Sequence, residues 1–211
     1  MLLFNREVQT NGDLPAMMPL LQEFVSIAKS AGTTLHVWAG GNGCVPGSLL
    51  FASNHESLAD LSEVGAKLQT SQAWWDALRK FREFDTTAQA DTIFNYIRGG
   101  AVGLEIPVGT IIQQNYFQLS AAGGDFLAAV QWMTELVELT KSITGVDANI
   151  GNSIFGTLGV IGYFAGYANA AQIDEARAKL AANAAWFPKF MEGGKFAMQG
   201  SVVQRHIVKI A

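Results

Sequence analysis

The chain has 211 residues, of which 49% are hydrophobic, enough apolar material to bury a substantial core and to exclude intrinsic disorder. Only 15% are charged and the net charge is -4, so no basic field exists to hold a phosphate backbone and nucleic acid is not an expected partner. The single cysteine, Cys44, excludes an internal disulfide, and with no apolar leader ahead of Arg6 and Glu7 the expected location is a reducing cytoplasm.

A first strand is predicted over residues 2–8, rich in β-branched, aromatic and amide side chains. Asp13 then stands at an N-cap position, with Pro15 in the first turn, where its missing N–H costs nothing. Met17, Leu20, Leu21, Phe24 and Ala28 form an i, i+3, i+4 stripe that buries one helical face, and Gly32 supplies the permissive backbone that ends the helix. Residues 34–39, the turn Gly40-Gly41-Asn42-Gly43 and residues 47–53 read as strand, turn and strand. A second helix carries Leu58, Leu61, Val64 and Leu68 on one side; an aromatic segment over 73–84 leads to a strand over 91–97.

The pattern then starts again. Displaced by 112 residues, Gly12-Asp13 falls on Gly124-Asp125, Lys29-Ser30 on Lys141-Ser142, and Ala66-Lys67-Leu68 on Ala178-Lys179-Leu180. Between residues 61 and 75, six of fifteen positions are identical in the second copy. The second copy therefore predicts a strand over 111–119, a helix opened by Asp125 and closed by Gly145, a hairpin over 146–165, a helix over 171–180 and a strand over 201–210. Residues 99–109, with four glycines and Pro107, join the copies, giving a first repeat over 1–98 and a second over 110–211. Residues 148–173 carry no formal charge, but acidic flanks at Asp147, Asp174 and Glu175, and a counterpart that reads as a hairpin, exclude a membrane span.

Each repeat has the order β-α-β-β-α-β. Four strands with two helices on one face leave the other face bare, and a second such sheet covers it. The expected fold is α+β: two tandem ferredoxin-like repeats packed sheet to sheet as one α+β barrel. This order, with the run Ser53-Asn54-His55-Glu56-Ser57-Leu58-Ala59-Asp60 leading to Ala73-Trp74-Trp75, resembles the dimeric α+β barrel superfamily, in particular its NIPSNAP-like and antibiotic-biosynthesis-monooxygenase-like members.

Strand alternation puts His36 and Trp38 opposite Leu35 and Val37; if the latter pair meets the helices, the former pair points into the barrel. A lumen His36 is then either a general base or a hydrogen-bonded core residue. Asn5 and Asn115, in the first strands, are candidates for holding a polar part of a ligand, or else bond each other or water across the barrel. Trp38 and His206 complete the expected ligand-binding set, whereas His55 reads as a capping or surface residue. No histidine has a partner at metal-ligand spacing, and the glycine turn lacks the lysine and helix of a phosphate loop, so neither a metal nor a cofactor is expected.

Heme-degrading members of the resembled superfamily pair a first-strand Asn with a Trp and a later ligand His. Asn5 and Trp74 or Trp75 match, but no histidine follows them in the first copy, which argues against heme degradation. The resemblance implies a small-molecule-binding barrel, a cofactor-independent monooxygenase-like enzyme acting on a hydrophobic ring compound. The alternative is a non-enzymatic structural or interaction protein with a packed lumen. The fused pair either closes its own barrel as a monomeric pseudo-dimer or pairs as a homodimer.

Overall fold

The computed structural model describes residues 1–10, 13–84, 86–120 and 125–211, side chains of residues 88–90 excepted; Gly12 and Gly124 of the repeat lie outside the described residues. The first repeat consists of β1 (Leu2–Gln9), α1 (Leu14–Ala31), β2 (Leu35–Gly40), β3 (Ser48–His55), α2 (Leu58–Thr70), α3 (Gln72–Arg82) and β4 (Thr87–Arg98). The second consists of β5 (Ile111–Gln118), α4 (Phe126–Thr144), β6 (Ala148–Phe155), β7 (Val160–Tyr167), α5 (Ala170–Ala182), α6 (Trp186–Met191), a 3-10 turn (Glu192–Lys195) and β8 (Val203–Lys209).

Helix starts follow side-chain chemistry. Ser57 accepts from the Asp60 N–H to open α2, and Asn169 does the same for α5 with the Gln172 N–H. Ser71 accepts from the Trp74 N–H, and this cap turns the aromatic segment expected after α2 into a helix of its own, α3. Gly32 and Gly145 end α1 and α4 in the left-handed conformation, with φ of 99° and 76°.

The first repeat orders its strands β4-β1-β3-β2 and the second β8-β5-β7-β6; all pairs are antiparallel, and the seams β2–β8 and β4–β6 close one barrel within the single chain. Closure leaves no strand edge open. Along each strand alternate residues face the helices or the lumen. Leu35 and Val37 pack with the helix layer, while Trp38 joins Leu3, Leu50, Phe94, Phe164 and Ile207 in the lumen. No helix among the described residues is long and apolar enough to cross a membrane.

The displacement between repeats is not uniform. Tyr167 follows His55 by 112 residues, but their strand partners, Ile111 and Leu2, are 109 apart. An odd shift of three residues inverts the face of every side chain in β5 relative to the sequence alignment. The lumen counterpart of Asn5 is therefore Gln114, buried to 3% exposure. Asn115 shares the face of Phe117, which packs in the helix-side core, so Asn115 is turned away from the lumen and cannot meet Asn5.

Candidate functional site

One end of the lumen is shut. Residues 99–110 fold across it: the Ala101 carbonyl accepts from Asn54 Nδ2 at 2.7 Å, the Gly109 N–H donates to the Lys209 carbonyl at 2.9 Å, and Ile106 packs onto the lumen cluster. Beneath this strap His36 is 4% exposed, with Nδ1 2.7 Å from Lys209 Nζ and a hydrogen bond to the Leu104 backbone. Burial, with Lys209 close by, pushes the imidazole down to about 4, while Glu105 of the strap opposes the shift. Burial also lowers the Lys209 ammonium. The pair is therefore a neutral imidazole whose Nδ1 accepts from Lys209 Nζ, a hydrogen-bonded core arrangement in which Nδ1 is already engaged. Trp38, 4% exposed, belongs to the apolar layer that fills the middle of the barrel.

His206 faces outward. Ile207 occupies the lumen, so its neighbour lies on the opposite face, where Arg177 of α5 helps to lower its pKa beneath the main effect of burial. Cys44 places Sγ 3.4 Å from the His206 carbonyl, and burial raises its thiol.

Two cavities of ligand size open among the described residues. At the other mouth of the lumen a cavity of about 300 Å³ is lined by Asn5, Glu7, Phe94, Tyr116 and Arg205 among others. A larger cavity, about 640 Å³, lies outside the barrel wall in the first repeat, between the helix face of the sheet and helices α1, α2 and α3. Its walls are chiefly aromatic and aliphatic: Phe4, Phe24, Phe51, Trp74, Phe81 and Leu68. Phe24 holds edge-to-face contacts with Phe51, Trp74 and Phe81 at centroid distances of 6.0, 5.1 and 5.5 Å. Arg6 and Asp91 also line it, joined by two parallel bonds of 2.7 Å.

Thr33, Gln69, Arg82 and Thr86 line it as well, and two further polar residues belong to one chain of hydrogen bonds. Ser53 and His55, two apart on β3, share the helix face, with Ser53 Oγ 2.8 Å from His55 Nε2. His55 Nδ1 lies 3.2 Å from Asp60 Oδ2 in the first turn of α2. The Asp60 carboxylate favours the tautomer with a proton on Nδ1, leaving Nε2 to accept from the Ser53 hydroxyl. Burial pushes the His55 imidazole down and Asp60 opposes that shift, so the neutral ring is a base that the adjacent carboxylate would support once protonated.

His55 is thus a buried residue, 1% exposed, and not the surface or capping group expected from sequence. The cap is Ser57, while Asp60 answers with the Glu56 N–H. The second repeat keeps this cap, with Gln172 accepting from the Ala168 N–H, but has Ala165 and Tyr167 where the first has Ser53 and His55. Helix capping accounts for Asp60 and leaves the serine and histidine unexplained. The signal was present in the sequence as Ser53-x-His55, same-face spacing on a strand, followed by a carboxylate one helical turn into α2. Asn5 and Trp74 lie on opposite faces of the sheet, one lining the lumen mouth and the other the helix–sheet cavity, so the Asn–Trp pairing of heme-degrading enzymes is not assembled. Among the described residues no cluster of three or more His, Cys, Asp or Glu is placed to hold a metal ion.

A closed barrel of two fused ferredoxin-like repeats, with its larger cavity between sheet and helices, defines the fold as an α+β barrel. No protein family and no curated protein sequence matches the chain. Among solved structures it is similar to a candidate monooxygenase from Fusobacterium nucleatum, at 12% identity and a TM-score of 0.69, covering 100% of this chain and 92% of that one. An anthrone oxidase-like protein matches at 12% identity and 0.61, covering 100% and 92%. A heme-binding protein from Thermus thermophilus matches at 11% identity and 0.56, covering 100% and 91%. These likenesses establish the shared fold.

Proposed function

We propose that the protein binds a compact, largely apolar ring compound in the helix–sheet cavity of the first repeat and oxidises it without a resident cofactor. The observation that carries this reading is the Ser53–His55–Asp60 chain at the wall of a chiefly aromatic and aliphatic space of ligand size. Aromatic walls favour a flat ring system, and the hydroxyl of Ser53 is the group that would touch its polar edge. A ring ketone with an acidic C–H would pass its proton through Ser53 to His55 Nε2, and the imidazolium would be held by Asp60. The resulting carbanion is electron-rich enough to reduce dioxygen directly, as the neighbours described as monooxygenases and an anthrone oxidase-like protein invite. With anthrone as probe, one anthrone and one dioxygen give one anthraquinone and one water.

The alternative of a packed, non-enzymatic barrel draws on the filled middle of the lumen, with Trp38, Phe94 and Phe164 in contact there. That packing lies on the other side of the sheet from the proposed site, so a filled lumen does not oppose the oxidative reading. Oxygen uptake with anthrone decides between them for function. The expected result is uptake above the uncatalysed background that His55→Ala removes; uptake no faster than background, or unchanged in His55→Ala, would sink the enzymatic reading.

A further inference from the structure

The open mouth of the lumen holds polar groups that the oxidative reading does not use. Asn5 is 6% exposed, lines the 300 Å³ cavity, and has no hydrogen-bond partner for its side-chain amide among the described residues. Among the described residues no side-chain nitrogen or oxygen sealed from the surface lacks a partner, so the Asn5 amide atoms open onto the cavity itself. An amide held in the wall of a cavity with no protein partner is free to bond whatever enters it.

The pseudo-symmetry of the barrel sharpens the point. Asn5 stands opposite Thr92 across the β1–β4 pair, and its counterpart Gln114 stands opposite Arg205 across β5–β8. In the second repeat that cross-strand pair bonds internally, Arg205 Nε donating to Gln114 Oε1 at 2.7 Å, while Arg205 Nη1 donates to Glu7 Oε2 at 2.8 Å. In the first repeat the shorter Asn5 and Thr92 side chains form no such bond, and both line the cavity. Phe94 and Tyr116 stack at 5.7 Å with an interplanar angle of 29° and give the cavity a flat aromatic wall.

We infer that this mouth is a second binding site, separate from the helix–sheet cavity, for a small planar uncharged carboxamide or lactam. The Asn5 amide presents one donor face and one acceptor, the complement of a carboxamide edge. Glu7 and Arg205 neutralise each other, so the site offers no net charge to an ionic ligand. The Phe94–Tyr116 wall accommodates the flat body of the ligand, and the volume admits one small ring.

The probe is benzamide, titrated into the full ¹⁵N-labelled chain and followed by amide chemical shifts, with benzoate as the charged control. Saturable shifts are expected around Asn5, Thr92, Tyr116 and Arg205, with affinity about tenfold lower in Asn5→Leu, the scale of one lost buried hydrogen bond. Thr92→Val, isosteric and conservative, should weaken binding in the same direction and keeps the test open if Asn5→Leu does not fold. Gly65→Leu, which blocks the helix–sheet cavity on the opposite face, should leave benzamide binding unchanged, so failure of the oxidative reading does not touch this one. Absent saturation, shifts centred on the helix–sheet cavity, undiminished affinity in both polar-to-apolar variants, or benzoate binding as tightly as benzamide would each overturn the assignment.

Discussion

The helix–sheet layer of the first repeat encloses about 640 Å³, whereas the same layer of the second repeat is packed around a tryptophan. Trp132 on α4 replaces Leu20 of α1; its ring lies 5.9 Å from both Phe117 and Phe196, and its Nε1 donates to the Lys189 carbonyl at 2.8 Å. Gly193 leaves room for that ring, where the first repeat has Phe81. The polar chain follows the same division: Ser53 and His55 in the hollow repeat become Ala165 and Tyr167 in the full one, and Gly65 becomes Arg177. The two repeats thus separate two jobs that compete within one copy, since a cavity forfeits packing contacts that a filled core keeps. One repeat anchors the barrel and the other holds the space.

Mutations that exchange the two characters should have unequal costs. The largest effect is expected for Trp132→Ala, which empties the full repeat and should cost about 3–5 kcal/mol in a urea or thermal melt. Gly193→Ala should cost about 1–3 kcal/mol, because its new Cβ meets the Trp132 ring and the surroundings must shift. At Gly65, on α2 of the hollow repeat, an added Cβ meets nothing within 4 Å. Gly65→Leu should therefore stabilise the fold by about 1 kcal/mol through helix propensity while abolishing anthrone-dependent oxygen uptake. A destabilised Gly65→Leu, or one that still turns over anthrone, would erase the contrast between repeats.

The last effect appears only in acid and concerns the strap over the closed end. His36 has its pKa lowered to about 4 by burial and by Lys209, so the folded protein prefers the neutral ring. Between pH 4 and the ordinary value near 6.5 the unfolded chain binds the extra proton, and stability should fall as pH falls through that window, being flat in this respect above it. His36→Asn should flatten this part of the curve measured by thermal melts; an unchanged curve would place the acid sensitivity elsewhere, with the other two histidines, whose pKa values are also lowered by burial, as the next to substitute.

Much of this architecture was legible in the sequence. The repeat, the helix start at Asp125 and the glycine stops follow from local chemistry that acts within a few residues, whereas Asp13 precedes α1 without a side-chain cap bond and the joint over 99–109 gave no sign that it closes the lumen. What failed was register. A displacement of 112 holds through the hairpin and the second helix, but β5 slips by three, and no local signal marks an odd slip that exchanges Asn115 for Gln114 in the lumen. His206 was misplaced for the same reason, since one residue decides the face. His55 was missed differently: its burial depends on α2 lying over the sheet, a tertiary fact, although the Ser53-x-His55 spacing already put both groups on one side of β3. The location of the cavity was not legible, because the void is set by side chains that several elements leave short.

The most direct test is a crystal structure of the protein soaked with anthraquinone, the product of the proposed reaction. Density is expected between α2 and the sheet of the first repeat, in contact with Ser53 and the aromatic wall at Trp74 and Phe24, with the layer around Trp132 unchanged. Density seated in the second repeat, or an empty helix–sheet cavity in crystals whose lumen or surface takes up the compound, would contradict the division of labour between the two repeats.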